Sequence, residues 1–314
     1  MTPMPSRLVV AATAATLAAY VLLPFRVSDY WLSVLNLAGI AAVGASGLNL
    51  LTGYCGQLSL GHAAFLGAGA YAGAALDLPF PLAVAAAVVI GAALGLVLTP
   101  FAVRLRTHTL AIATLALVFV GQHVFREWTS VTGGNAGRSV RHVPALPGTP
   151  DQGWFWLIWP LVAATLVLVA FVARSRLGRE MVAVRSNEEA AAVVGVDVAR
   201  TKAGAFVLSG ALAAAAGALY GAYKGHIGPE DWGLLVSIQY LAMVLIGGIG
   251  TLKGPVLGAL FVTALPRLVE EVVHGGTAPQ VTQIVFGLAI VACTHVTARR
   301  RQGSTPSCAD QPSL

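Results

Sequence analysis

Asn49, Thr52, Gln57, Ser59 and His62 are hydrogen-bonding side chains in a stretch, Tyr30–Leu76, that holds no Asp, Glu, Lys or Arg. In such apolar surroundings, polar groups face a protein interior or a watery cavity. Neutral donors and acceptors at that depth suit the passage of a polar solute. Catalysis would need a nucleophile beside a base, or metal ligands at close spacing, and the sequence shows neither pattern. Glycines punctuate the same stretch at Gly53, Gly56, Gly61, Gly69 and Gly73. Small residues let helix backbones approach closely in lipid, so packing explains these glycines. It explains the polar run poorly, and part of that run is assigned to the lining of a translocation path.

A second glycine cluster comprises Gly247, Gly248, Gly250, Gly254, Pro255 and Gly258. Gly250, Gly254 and Gly258 recur every four residues, a spacing for close helix contact, and the cluster breaks the helical pattern. Lys253 is followed by Gly254 and Pro255, whereas a phosphate-binding loop needs Gly-Lys-Ser/Thr. None of the three lysines sits in such a loop, so no bound cofactor is expected and nucleotide energy would have to come from another subunit. Between Arg174 and Lys202 the chain turns polar. Asn187 is placed to cap a short helix whose first turn holds Glu188 and Glu189, followed by Ala190 and Ala191, with Gly195 as its stop. The Ala/Val face of that helix, set among charged residues, calls for a partner groove. A plain positive loop explains the arginines but not this pattern.

These segments must be carried by membrane spans. The 314 residues are 57% hydrophobic and 10% charged, against about 25% charged in soluble domains. A spanning helix needs about 20 apolar residues. The uncharged runs are Leu8–Phe25, Tyr30–Leu76, Leu78–Val103, Thr107–Phe125, Gln152–Ala173, Ala203–Tyr223, Trp232–Leu252, Gly254–Pro266 and Val272–Ala298. Tyr30–Leu76 is too long for one span and holds two, broken near Thr52–Gln57. Ten spans result, in an all-α polytopic transmembrane bundle, with Gly254–Pro266 as a short span or half-helix. Glycine-rich breaks in the third span and near the eighth suggest an inverted repeat of five plus five. Arg7 and the long run after it predict a retained first span rather than a cleaved signal peptide.

Ten spans put both termini on one side, and 13 of the 19 basic residues fall on that face against 6 on the other. The richer face is cytoplasmic by the positive-inside rule, so both termini are expected inside a bacterial inner membrane. The positive net charge therefore reflects membrane topology rather than nucleic-acid binding. Residues 1–303 form the membrane domain, with the loop 174–202 cytoplasmic, and 304–314 are expected to be a disordered tail. Cys55, Cys293 and Cys308 show neither metal-ligand nor disulfide spacing. No span contains a charged residue, which weakens proton coupling. An ion-coupled secondary transporter stays as the alternative, because backbone carbonyls can bind sodium.

Taken together, these motifs resemble the branched-chain amino-acid permeases of ATP-binding-cassette transporters, the Liv type. The resemblance runs from about Leu35 to Ala298. It is carried by Gly47-Leu48-Asn49-Leu50-Leu51-Thr52-Gly53 with Gly56-Gln57-Leu58-Ser59-Leu60-Gly61-His62, by Ala111-Ile112-Ala113-Thr114, and by Thr132-Gly133-Gly134-Asn135. Leu177-Gly178-Arg179, Glu189-Ala190-Ala191 with Gly195, and Ile246-Gly247-Gly248 with Gly254-Pro255 also carry it. The outer loop with Thr132-Gly133-Gly134 fits the LivM-like half. The resemblance implies a second, different permease subunit, two cytosolic ATPases and an extracytoplasmic solute-binding protein. It also implies that Glu189, Ala190, Ala191 and Gly195, in one loop with Gly178, Arg179 and Glu188, seat on the ATPase.

Overall fold

A computed structural model describes residues 20–105, 107–140, 144, 147–272, 284, 285, 287 and 288. Most of the first and tenth expected spans, and the whole of the tail 304–314, lie outside them. Residues 20–26 are helical. The main elements are α1 (Asp29–Leu48), α2 (His62–Ala75), α3 (Phe80–Arg104), α4 (Thr107–Glu127), the one-turn α5 (Thr129–Thr132) and α6 (Pro150–Arg174). They continue with α7 (Arg176–Ser186), α8 (Glu188–Val193), α9 (Val198–Lys224), α10 (Leu234–Gly247) and α11 (Gly254–Val272). Among the described residues one short antiparallel pair, β1 (Arg138–Ser139) with β2 (His226–Ile227), joins the segment before α6 to the segment after α9.

Among the described residues, five helices are long and apolar enough to cross a membrane: α1 with its extension to Tyr54, α3, α4, α6 and α9. The backbone must satisfy its own hydrogen bonds in lipid, which makes helices the form these runs take. Their ends follow local chemistry. Gln152 Oε1 accepts from Thr149 N–H at the start of α6. Asp197 Oδ1 accepts from Arg200 N–H at 3.0 Å to open α9, and Gly225, at φ +74°, ends it. The ninth expected span ends at Pro266 by charge alone, but α11 runs on through Pro266 to Val272 and is 19 residues long. Its apolar part, Gly254–Val269, is shorter than the five spanning-length helices, and its charged residues Arg267, Glu270 and Glu271 lie in its last turns.

α9 is the centre of the bundle and packs against α1, α2 and α3. Backbone meets backbone there. A β-carbon at Gly69 would overlap the Ala214 carbonyl, one at Gly217 the Leu66 carbonyl, and one at Gly91 the Gly210 carbonyl. Gly73 lies beside Ala218 in the same seam. A similar seam joins α10 to α11, with Gly258 against the Met243 carbonyl and Gly247 against that of Gly254. Between the seams runs a core of Ile40, Leu48, Phe65, Leu66, Ile158 and Val244.

Contacts sort the connecting segments onto two ends. At one end, Thr149 Oγ1 meets Asp29, Asn36 donates to the Asp151 carbonyl, Tyr223 donates to Asp151, and Arg126 pairs with Glu230. At the other, the end of α1 meets the α10–α11 connection and α7, and the first turns of α9 meet the end of α3.

Candidate coupling and translocation site

α1 does not stop at Leu48. It tightens its pitch into a π-helix over Asn49–Tyr54, a form often found where a helix serves a site. Residues 55–61 then form no regular element, with Gly56 at φ +74°, and α2 begins at His62. An irregular segment among apolar helices leaves amides and carbonyls that need partners. Thr114 Oγ1 accepts from Leu60 N–H at 3.0 Å, Ser59 Oγ from Gly61 N–H at 3.3 Å, and Ser237 Oγ from Ala63 N–H at 2.9 Å. Thr52 Oγ1 donates to the Gln57 carbonyl at 3.1 Å. His62 Nε2 lies 3.0 Å from the Gly44 carbonyl. A carbonyl only accepts, so Nε2 carries the proton. Gly61 fits where a side chain would press on Thr114.

All five polar residues singled out in this run are buried. Four of them, Asn49, Thr52, Ser59 and His62, make hydrogen bonds within the chain. Gln57 differs: its Oε1 is buried without a hydrogen-bond partner among the described residues. Ser237 escapes sequence reading, because a single hydroxyl in an apolar helix has no local pattern to mark it, and Thr114 stands in a quoted motif that gives no hint of its bond to Leu60.

Asn49 also joins the two glycine-rich breaks. Its Nδ2 donates to the Thr251 carbonyl at 2.9 Å, and its Oδ1 accepts from Gly250 N–H at 2.8 Å. The approach needs glycine at both sites, since a β-carbon at Gly53 would strike Asn49 Oδ1 and Gly250 N, and Gly250 itself lies at φ +73°. Gly248 also takes positive φ, and the Gly254 amide is capped by Thr251 Oγ1, with Pro255 next to open α11. The Arg185 guanidinium of α7 donates to the Gly53 carbonyl, and its stem lies against Gly56. One junction thus holds the end of α1, the α10–α11 connection and α7.

α7 folds back tightly on the end of α6, because Gly178 sits where a β-carbon would overlap the Val172 and Ala173 carbonyls. Ser175 Oγ accepts from Gly178 N–H, and Arg179 donates to the Arg174 carbonyl at 3.0 Å. Asn187 Oδ1 accepts from Ala190 N–H at 3.0 Å, which caps α8, and Gly195 follows its end at φ +87° with open space around it. Glu189 and Ala190 face solvent while Ala191 turns inward against Met181, Val184 and Phe206. Past them, Val193 is 88% and Val194 77% exposed. Glu188 Oε1 pairs with Lys202 Nζ at 2.6 Å. Lys202 lies one residue outside the uncharged run that begins at Ala203, and yet it is only 1% exposed.

A cavity of about 490 Å³ lies apart from this junction, between α2, α3 and α4, with an almost wholly apolar wall that includes Phe65, Leu94 and Val124. Among the described residues there is no cluster of His, Cys, Asp and Glu able to hold a metal ion.

A multi-pass helical bundle, buried at its glycine seams and broken at membrane depth by polar, internally bonded segments, is built as a membrane permease. The chain belongs to the family described as the permease component of branched-chain amino acid transport systems, whose profile matches residues 30–294. It is 30% identical over 278 residues to the high-affinity branched-chain amino acid transport system permease protein LivM of Salmonella typhimurium, covering 79% of this chain and 65% of that one. LivM of Escherichia coli matches to the same extent. The autoinducer 2 import system permease protein LsrC of Klebsiella pneumoniae is 37% identical over 128 residues, 39% of this chain and 36% of that one. The chain thus spans 65% of the length of the LivM relatives. No solved structure matches.

Proposed function

We propose that this chain is the membrane-spanning subunit of an ATP-binding-cassette importer in a bacterial inner membrane, carrying branched-chain amino acids or a related small polar solute. The observation that carries this reading is α8. It is a capped helix at the basic end of the bundle, with Glu189, Ala190, Val193 and Val194 exposed as an unpartnered face. Two valines open to water suit an apolar groove on a partner, and two cytosolic ATPases are the partners assigned here. The chain itself then hydrolyses no nucleotide and needs no cofactor. A second, different permease subunit completes the membrane domain, and an extracytoplasmic solute-binding protein delivers the cargo.

The reading includes ten spans with both termini cytoplasmic. It keeps the five-plus-five inverted repeat in a form supported by α2 and α10, which both have 14 residues, occupy the third place in each five, and follow an irregular segment. In alternating access, movement of α8 on the ATPases passes through α7 and Arg185 to the junction at Gly53 and Gly250. The break over residues 55–61 then opens beside Asn49, Thr52, Gln57 and Ser59, and the unpartnered Gln57 Oε1 is the atom offered to a passing solute. A rigid-body shift amplified at a bistable contact is a common route for such coupling.

The test is leucine uptake in cells carrying the importer with Glu189→Lys or Gly195→Leu. Uptake is expected to collapse while the chain still accumulates in the membrane. Unaltered uptake in both variants overturns the assignment of this loop. Leucine accumulation by the purified chain alone in liposomes, driven by a sodium or proton gradient without ATP, would establish the ion-coupled alternative.

A further inference from the structure

Among the described residues, Lys202 is one of the largest side chains that are almost completely buried. Its ammonium makes two directional contacts, to Glu188 Oε1 of α8 at 2.6 Å and to the Ala102 carbonyl of α3 at 3.1 Å. Ala102 lies in the last turn of α3, where carbonyls have run out of helical amides to accept from. Lys202 therefore spans three elements: it grows from α9, caps the end of α3, and holds the first residue of α8.

Its own helix does not explain it. Lys202 sits near the N-terminus of α9, the positive end of the helix dipole, where a cation is disfavoured. Burial adds a desolvation cost, and well-packed apolar residues commonly replace a buried ion pair with no loss of stability. What an apolar side chain cannot supply is direction. Other links between α8 and the bundle include the inward methyl of Ala191, the single-residue join to α7 at Asn187, whose N–H donates to the Ala183 carbonyl, and the short connection to α9; the Lys202 ammonium adds a directional tie that reaches α3. Glu188, with 44% of its side chain exposed, meets solvent on one side and Lys202 on the other.

We infer that Lys202 is a positioning residue that locks α8 to the inner ends of α3 and α9, so that a displacement of α8 moves these helices as one body. The inference rests on the importer reading for its consequence, uptake per ATP, but the lock itself is a property of this chain alone. It also divides the α8 segment: Glu189, Ala190, Val193 and Val194 look outward to a partner, while Glu188 and Ala191 look inward to the bundle.

Two measurements test it. The first uses the full-length chain in lipid nanodiscs with Cys293 and Cys308 replaced by serine and the buried Cys55 kept. Spin labels go at the exposed positions Val193 and Phe101, and the distance distribution between them is read by pulsed electron resonance. A narrow distribution is expected with Lys202 present, a broad one with Lys202→Met, and a narrow one again with Lys202→Arg, which keeps the charge and the donors. The second uses the unlabelled importer with its ATPases, and reads radiolabelled leucine taken up per ATP hydrolysed. Lys202→Met is expected to lower that ratio about tenfold, in the range of ordinary coupling energies, with hydrolysis retained and Lys202→Arg restoring most of it.

An unchanged distribution in Lys202→Met overturns the lock, and a broadened distribution with an unchanged ratio overturns its role in coupling. If Lys202→Met does not accumulate, the double variant Lys202→Met/Glu188→Met, which leaves no unpaired buried charge, is measured in its place. Failure of both to accumulate makes the pair a folding requirement and overturns the inference. Absence of ATP-dependent leucine uptake in the unmodified importer strikes the proposed function instead, and the distance measurement still decides the lock.

Discussion

Replacing Asn49 with alanine is expected to loosen the α10–α11 connection before it loosens anything else. Asn49 is fully buried and bonds both Gly250 N–H and the Thr251 carbonyl. Alanine removes both bonds and strands two backbone groups. A stranded buried group costs about 1–3 kcal/mol. Thr251 is itself exposed, so water can replace part of the loss, and the low end of that range applies to each. The sum is about 2 kcal/mol, which at about 1.4 kcal/mol per decade raises local opening on the order of thirtyfold. Hydrogen exchange followed by mass spectrometry on the chain in nanodiscs should show residues 248–253 and 49–57 exchanging faster by that factor. The seam of α2 and α9 should be unchanged, because its contacts lie elsewhere. Equal acceleration everywhere, or none at 248–253, would refute the reasoning that this amide ties the two breaks together.

Other expectations follow from the same geometry. Gly69→Leu should abolish recovery of folded chain on size-exclusion after detergent extraction, since even a β-carbon overlaps the Ala214 carbonyl. Gly225→Ala meets open space and pays only for its φ of +74°, so its thermal stability should fall by about 1 kcal/mol. Val193→Asp with Val194→Asp should leave chain levels unchanged, both residues being exposed, yet abolish co-purification of the ATPases. Gln57→Leu removes a buried acceptor that has no partner. Thermal stability should hold or rise by up to about 1 kcal/mol, while leucine uptake falls.

Much of this was legible in the residues. The break after Tyr54 was marked by a cluster of glycine and polar groups in a run too long for one span. The ends of α8 were marked by Asn187 and Gly195, because a capping side chain and a left-handed stop are local chemistry. What stayed hidden depended on reach or on partners far along the chain. In sequence Lys202 reads as a loop cation, since the uncharged run begins only at Ala203, and nothing local shows that its ammonium reaches α3. The bonds of Asn49, Thr52 and Ser59 close on backbone, so polarity at membrane depth marked these residues without telling a lining role from a structural one. Ala190 and Ala191 share a motif yet face opposite ways, and a helix as short as α8 has no periodicity to tell them apart. The uncharged run stops at Pro266, yet α11 continues to Val272 because the charges lie in its last turns.

The seam of α9 against α2 and α3 bears on how the protein is made. Gly69 and Gly91 lie on α2 and α3, which are synthesised well before Gly210 and Ala214 of α9 exist. At roughly 5–20 residues per second, the two early helices wait in the membrane on the order of ten seconds with their flattest surfaces bare. Flat glycine faces associate with any similar helix nearby, including those of another nascent copy. Release of the chain before Val198 emerges would leave those faces permanently without their match, so premature termination should yield aggregates in the bilayer rather than a smaller stable bundle.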